Sequence, residues 1–520
     1  MSRRVFLRIP HPLLVLIAAA YLVVAALFAV YTPAWQAPDE PAHYNYVVQV
    51  AENGCCPVIE MGDWNLPYQS ELTGRRFAPE LLGELDTLQY EDHQPPLYYL
   101  LASVVFKLAG GSLTGLRLFS ALIGLGVVLC AYGIGKAMYP ERPWIALGAA
   151  AFVAFLPQHV AIMAAVNNDG LAEVVIGVTL LAAIRYLKAS EDTATGSLAG
   201  ERTEPSSGGF PQRTGQMLPA SGVVWTKNRD YPSARSHGFS PLLLGVLVGV
   251  GFLTKASTYF LVVVAPLAVM LKWRMEYNDG AKRALPTVLA RLALFFMPAL
   301  LLGAIWWARN LGVYGWPDFL GLGRHDVVVA DQLRTADYIA DNGWPAYLNR
   351  AFWETFNSFW GQFGWMAAPM PAWVYRIIQI LLLVIVSGWA LEWMTRRRNP
   401  SHSELGEGAT LGAASSQRWR RWSAWVLLGV TLLLALAAFA YYNTEFVQHQ
   451  GRYLFPALIP LALWMARGVD AWRLVVERGV SGRIAVRPYM QWLVAVAFLP
   501  LAALDVYLLW RVIVPGLSPP

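Results

Sequence analysis

Three short runs of the chain combine acids, bases and prolines in a way that suits group transfer. In Ala37-Pro38-Asp39-Glu40-Pro41-Ala42-His43-Tyr44, two adjacent carboxylates precede an imidazole four residues after the first. Asp39 suits a helix N-cap and Pro41 a first turn, so a helix begun here turns Asp39 and His43 to one side. Its dipole favours an ionised Asp39, the state a general base requires. From these residues alone a purely capping Asp39 reads equally well. The run Tyr90-Glu91-Asp92-His93-Gln94-Pro95-Pro96-Leu97-Tyr98-Tyr99 sets two carboxylates, Glu91 and Asp92, and the His93 imidazole before a proline pair that restricts the backbone. It could orient a substrate, hold a metal, or serve only as a polar loop. In Gln448-His449-Gln450-Gly451-Arg452-Tyr453-Leu454-Phe455-Pro456, Arg452 could grip a phosphate in two-pronged fashion or merely snorkel. No ligand spacing of the metal-binding kind links Asp39, His43 and His93, so the cofactor is left open between a divalent ion and none.

What must bring these runs together is a set of apolar helices. The chain is 56% hydrophobic and 14% charged, with a mean hydropathy of +0.41, against about 25% charged residues in a soluble domain. Apolar runs near the ~20 residues that cross a bilayer recur along its whole length. We expect an all-α polytopic membrane domain over residues 1–520 with about eleven crossings, at 13–31, 116–135, 144–157, 171–187, 241–253, 259–271, 292–307, 374–393, 425–441, 453–465 and 492–510. A net charge of +6 and a pI near 9.1 come from short basic clusters between apolar runs, a positive-inside pattern that argues against nucleic acid as a partner. Cys55 and Cys56 are expected free or linked elsewhere, because adjacent cysteines close a strained ring.

Charge bias then orients the chain. Between Thr32 and Gln94 lie eleven acidic and two basic residues, preceded by Arg3, Arg4 and Arg8, so the N-terminus is expected inside and this segment outside. The first extracytoplasmic loop spans 32–113, its apolar stretch 95–108 lying along the membrane surface. Residues 189–238 read as a disordered cytoplasmic insertion rich in Ser, Gly, Thr and Pro. Residues 309–372 read as an aromatic-rich extracytoplasmic loop, and 395–421 as a cytoplasmic one. Drawn this way, Asp39, Glu40, His43, Asp92, His93, Asp169, Lys255, Arg309, His449 and Arg452 all reach one face. Ionisable groups at membrane depth are costly, which singles out Asp169, Lys255 and Arg452. Trp316, Trp344, Trp353, Trp360 and Trp365 suit sugar stacking, or an interfacial belt.

The opening Asp-Glu of the first outer loop, the His-Gln-Pro-Pro-Leu-Tyr-Tyr turn, the next outer Asp and the hairpin with Thr254-Lys255 resemble the GT-C superfamily of membrane glycosyltransferases, which includes protein O-mannosyltransferases and the aminoarabinose transferase of lipid A. The Pro-Asp-Glu-Pro-Ala-His and Gln-Gly-Arg-Tyr-Leu-Phe-Pro signatures are similar to those of an uncharacterised bacterial branch. The resemblance implies an inner-membrane enzyme that takes a sugar from a polyprenyl-phosphate donor and passes it, with inversion, to a lipid, glycan or protein acceptor outside the cytoplasm. It implies Asp39 as the base and Glu40 as its catalytic partner, with His43, Asp92, His93 and Asp169 positioning the acceptor or a metal, and Lys255, Arg309 and Arg452 holding the donor phosphate. One departure stands out: the aminoarabinose transferase type has a phosphate-contacting lysine where this chain has Gln94. A transporter or lipid flippase is the rival reading, since broken helices and intramembrane charges serve carriers too, and an inactive scaffold of the same fold is a third.

Overall fold

Proline and short polar side chains start the helices of this protein. Pro12, Pro41, Pro143, Pro157 and Pro241 each stand in a first turn, where the missing N–H has no partner to lose. Ser112 and Ser240 cap the helices that follow them by accepting from Gly115 N and Leu243 N. The computed structural model describes residues 11–189, 240–278, 285–398, 411–479 and 490–520. The expected insertion, 189–238, therefore lies outside the described residues apart from its first. Of the 395–421 loop, residues 399–410 lie outside them, and the described remainder on both sides is helical.

In chain order the helices are α1 (Pro12–Tyr31), α2 (Glu40–Asn53), α3 (Leu66–Gly74), α4 (Leu97–Leu108), α5 (Leu113–Met138), α6 (Pro143–Ala154), α7 (Pro157–Met163), α8 (Asp169–Lys188), α9 (Pro241–Phe252), α10 (Leu261–Asn278), α11 (Leu285–Tyr314), α12 (Leu322–Val328), α13 (Thr335–Gly361), α14 (Ala372–Arg398), α15 (Leu411–Glu445) and α16 (Leu458–Gly479), followed by a segmented helical run over Leu493–Leu517. A two-stranded ribbon pairs Gln362–Phe363 with Ala368–Pro369. The chain is a multi-pass membrane protein: among the described residues nine helices are long and apolar enough to cross a bilayer, and α6 with α7, bent by 64°, makes a tenth if taken as one span. The remaining run of the eleven falls on α9, whose twelve residues reach only about 18 Å of a ~30 Å hydrocarbon core. Its small residues let it lie close to α11, and a Cβ on Gly245 would stand 2.0 Å from the Phe295 carbonyl oxygen.

The core of the bundle is aromatic and aliphatic, with Tyr21, Phe28, Phe152, Phe155 and Phe498 fully buried. Leu294, Met297, Leu301 and Ile305 of α11 stay exposed along one helical stripe, as a lipid-facing surface requires. A separate small core joins the two long connecting segments: Ile59, Leu72, Phe77 and Leu88 pack with Val328 and Val329. Trp365 Nε1 donates to Trp35 O across 3.1 Å and Arg324 Nε to Ile59 O across 3.3 Å. Cys55 and Cys56, expected free or linked elsewhere, are bonded to each other.

The tie between this outer layer and the bundle is a buried ion pair. Arg117, one turn into α5, donates Nε to Glu40 Oε1 (2.8 Å) and Nη2 to Glu40 Oε2 (2.6 Å), while its remaining N–H groups reach the Ala29, Thr32 and Pro33 carbonyls at the end of α1. Glu40 also accepts from Val166 N and Trp35 N, each at 3.2 Å. Neither residue is more than 2% exposed. Removing one member of such a pair strands the other charge away from water. Glu40→Gln should accordingly destabilise the protein by about 3–5 kcal/mol, seen as a large drop in the melting midpoint of detergent-solubilised protein. An unchanged midpoint would mean that the pair does not anchor the fold.

Candidate functional site

Four chain segments deliver charged side chains to one end of the bundle. Asp39 ends the link between α1 and α2, Asp169 opens α8, Lys255 follows α9, and Arg452 lies in the 3₁₀ turn Gly451–Ala457 ahead of α16. Each thus stands at a helix end. Arg142, Arg467 and Arg473 are engaged at the opposite helix ends with Asp470 or Glu392.

Asp39 occupies the N-cap position of α2 but makes no capping bond, which sets aside the purely capping reading. Its φ of 65° is left-handed, a conformation that few side chains other than Asn and Asp tolerate, and this backbone turns the carboxylate outward from the helix start. Oδ2 accepts from Arg452 Nη2 at 2.5 Å and Oδ1 from the Tyr90 hydroxyl at 3.1 Å. Arg452 reaches this point because Gly451 lies against α13: a Cβ there would meet Phe359 N at 2.2 Å. Gly451 N also donates to Ser358 Oγ at 2.8 Å. Beside this pair is a second. Lys255 Nζ donates to Asp169 Oδ1 at 2.6 Å, and Asn167 Oδ1 caps Asp169 N at 2.9 Å.

The remaining candidates divide. His43 faces the two pairs, with Nδ1 2.8 Å from the Tyr99 hydroxyl. Glu40 does not: both its oxygens belong to the Arg117 tie described above. Asp92 turns away to accept from Gln49 Nε2 at 2.7 Å. The His93 ring lies 4.4 Å from that of His325, with Nδ1 3.1 Å from the Tyr90 carbonyl oxygen. Arg309 donates to Cys56 O at 3.1 Å and to Pro57 O, and lies over the Trp306 ring; no contact among the described residues joins it to Asp39, Asp169, Lys255 or Arg452. His449 sits under Tyr347 with Nδ1 3.4 Å from Glu354 Oε2. Of the tryptophans, Trp360 is buried and Trp365 bonded to Trp35 O, whereas Trp316, Trp344 and Trp353 are exposed.

Tyr90, Arg117 and Asn168 escaped selection from the sequence. Arg117 carried a signal, a lone charge among apolar residues. Asn168 Nδ2 donates to Gln94 Oε1 across 3.3 Å, so the position filled by lysine in the aminoarabinose transferase type is here part of an amide pair.

Burial would push the Asp39 carboxyl up, but the Arg452 charge and hydrogen bond, the field of His43 and the Tyr90 hydroxyl outweigh it and hold the group below the ordinary carboxylate range. Burial holds His43 below the usual histidine value, against the opposing field of Glu91. His93 falls further, through burial and the neighbouring His325. Asp92 is raised to about 8, chiefly by burial. Among the described residues no three His, Cys, Asp or Glu side chains converge as metal ligands. Asp39 and Asp169 each already face a cation, so the donor set does not fit a divalent ion.

Residues 93–200 match the family model described as dolichyl-phosphate-mannose-protein mannosyltransferase. That segment runs from His93 through Asp169 but includes neither Asp39, Lys255 nor Arg452. In structure the chain is similar to ArnT from Cupriavidus metallidurans bound to undecaprenyl phosphate, with 14% identity, a TM-score of 0.43, and coverage of 97% of this chain and 73% of that one. It is also similar to the oligosaccharyltransferase AglB from Archaeoglobus fulgidus in complex with an inhibitory peptide and a dolichol-phosphate, with 12% identity, a TM-score of 0.42, and coverage of 94% of this chain and 56% of that one. No curated protein matches the chain in sequence.

Asp92 makes a measurable contribution to pH dependence. Its folded value lies above that of the unfolded chain, so the folded protein holds the extra proton between about pH 4 and about 8, and stability is lost as pH rises through that window. Asp92→Asn removes this term. The variant should outlast wild type in thermal melts at pH 9 and converge with it at pH 4 to 5; parallel melting curves across that range would contradict the assignment.

Proposed function

We propose that the protein is a membrane glycosyltransferase that moves a sugar from a polyprenyl-phosphate donor to a hydroxyl acceptor on the extracytoplasmic side of the inner membrane. The observation that carries this reading is the pair of ion pairs Asp39–Arg452 and Asp169–Lys255, 2.5 and 2.6 Å long, at the ends of apolar helices. A lipid phosphate is the anion that bilayer geometry brings to such cations, and the description of the family matched by residues 93–200 names a dolichyl-phosphate sugar. The grouping of these charges at one end of the bundle favours an enzyme over a carrier, which needs ionisable groups near the midplane.

The chemistry follows from an exchange of partners. In the free protein Arg452 and Lys255 are neutralised by Asp39 and Asp169. The donor phosphate takes both cations, leaving Asp39 without its guanidinium and therefore a stronger base at the moment the sugar is in place. The acceptor oxygen attacks the anomeric carbon as its proton passes to Asp39, the bond from that carbon to the phosphate oxygen breaks, and the electron pair leaves with the polyprenyl phosphate, stabilised by Arg452 and Lys255. Attack opposite the leaving group inverts the sugar. Tyr90 and His43 frame Asp39 in this scheme, and Glu40 positions Asp39 through Arg117 without touching substrate. No step requires a divalent ion.

Exchange makes an unusual pair of demands on one substitution. Asp39→Asn should abolish transfer of radiolabelled sugar from polyprenyl-phosphate donors, yet bind undecaprenyl phosphate about tenfold more tightly than wild type, because Arg452 is no longer occupied. Asp169→Asn should tighten binding in the same direction. Unchanged affinity in both variants would refute the exchange, and a wild type that binds undecaprenyl phosphate no better than undecaprenol would refute the function. Transfer should also persist within about twofold after treatment with EDTA; loss of activity restored by a divalent ion would contradict the scheme.

A further inference from the structure

Three consecutive residues of the 90–94 turn do three different things. Tyr90 donates to Asp39, and Asp92 is turned inward onto Gln49. Glu91, between them, has neither partner. Its Oε2 is buried without a hydrogen bond, and no cation lies within salt-bridge distance of it among the described residues. Buried carboxylate oxygens are almost always hydrogen-bonded, because stripping one of water without replacement costs several kcal/mol, so a bare one calls for a partner from elsewhere.

Glu91 follows directly on Tyr90, which bonds Asp39, and is close enough for its charge to act on His43 of α2, Tyr99 of α4 and Tyr442 of α15. These elements enclose the place where Asp39 meets Arg452. The turn itself is held by Asp92 N donating to Gln89 O at 3.0 Å, Gln94 N to Glu91 O at 2.9 Å and the Tyr46 hydroxyl to Gln94 O at 3.0 Å. Glu91 is therefore presented on a fixed backbone beside a base whose own oxygens are both occupied.

We propose that Glu91 is a substrate-contacting residue whose free carboxylate oxygen accepts a hydrogen bond from a sugar hydroxyl in the site. A neutral donor fits better than a second anion or a metal. The oxygen has no cation beside it to attract phosphate, and Asp39 and Asp169 are already paired and so offer no shared ligand set. In a site built from cations for a phosphate and an aspartate for a proton, Glu91 supplies the selection for the carbohydrate. The inference rests on the proposed function, and the hydroxyl can belong to the donor sugar or to a sugar acceptor.

Binding and turnover separate the two sources. The full-length protein and its Glu91→Ala and Glu91→Gln variants would be titrated with undecaprenyl phosphate and with a panel of undecaprenyl-phosphate hexoses and pentoses. Single-turnover transfer from the best-bound of these to an envelope extract would then be followed. A donor contact predicts that Glu91→Ala weakens the sugar-bearing lipid by about 10 to 100-fold while leaving undecaprenyl phosphate within twofold of wild type. An acceptor contact predicts that both lipids bind as in wild type and that transfer from bound donor slows by about the same factor. Glu91→Gln, which keeps a carbonyl oxygen in place, should retain more function than Glu91→Ala in either case. If neither variant changes sugar-lipid affinity or transfer beyond threefold, Glu91 does not touch substrate. Failure of the wild type to prefer undecaprenyl phosphate over undecaprenol would instead strike at the proposed function.

Discussion

The Glu40–Arg117 fork is the constraint on which the arrangement of this protein depends. It joins the first residue of α2 to the first turn of α5 and, through three carbonyls, to the end of α1. A charge pair so fully removed from water holds its geometry because either ion alone would be badly solvated there. With Glu40 fixed, the residue before it has little freedom. Asp39 takes a left-handed backbone and points its carboxylate toward the 3₁₀ turn carrying Arg452. The carboxylate held in the scaffold and the one that faces Arg452 are thus neighbours in the chain with opposite fates.

A similar division recurs in the 90–94 turn and at the start of α8. Tyr90 donates to Asp39 with Glu91 beside it, while Asp92 is sequestered with Gln49. Asp169 meets Lys255, whereas Glu173, one turn deeper, pairs with His159. At each place one acidic group lies in or beside the Asp39–Arg452 and Asp169–Lys255 pairs and another is placed in the scaffold. The result is a face where cations and carboxylates balance in the absence of substrate. In the proposed function an incoming lipid phosphate competes for cations already present, and no gross rearrangement is needed to receive it.

The outer layer that frames this face is held by few but specific contacts. Ile59, Val328 and Val329 give it a core of its own, and Trp365 and Arg324 tie its two segments together. Ser358 of α13 sets the height of Gly451 and so of Arg452. The aromatic-rich segment therefore contributes to the site through the residues it buries. Its exposed tryptophans, Trp316, Trp344 and Trp353, lie on the surface of the layer, where an amphipathic ring suits a membrane interface.

Hydropathy and charge bias by themselves determined that this is a helical membrane protein, because bilayer thickness imposes a length that composition records; of the eleven apolar runs, the one on α9 is too short to cross. The grouping of Asp39, His43, Asp169, Lys255 and Arg452 at one end was legible for the same reason: helix direction alternates, so counting runs assigns each connecting segment to an end. Which side chains meet was not legible. Asp39 and Glu40 differ by one methylene and adjoin in the chain, yet a single residue's rotation about α2 sends one to Arg452 and the other to Arg117. Asp92 and Glu91, alike in the sequence, part in the structure for the same reason, since the turn that aims them is set by Asp63, Gln89 and Tyr46. Arg309 is adjacent to the site in topology but is used on the Cys56 and Pro57 carbonyls. Pattern assigns residues to a surface; only tertiary contacts decide which of them are neutralised and which are left for a ligand.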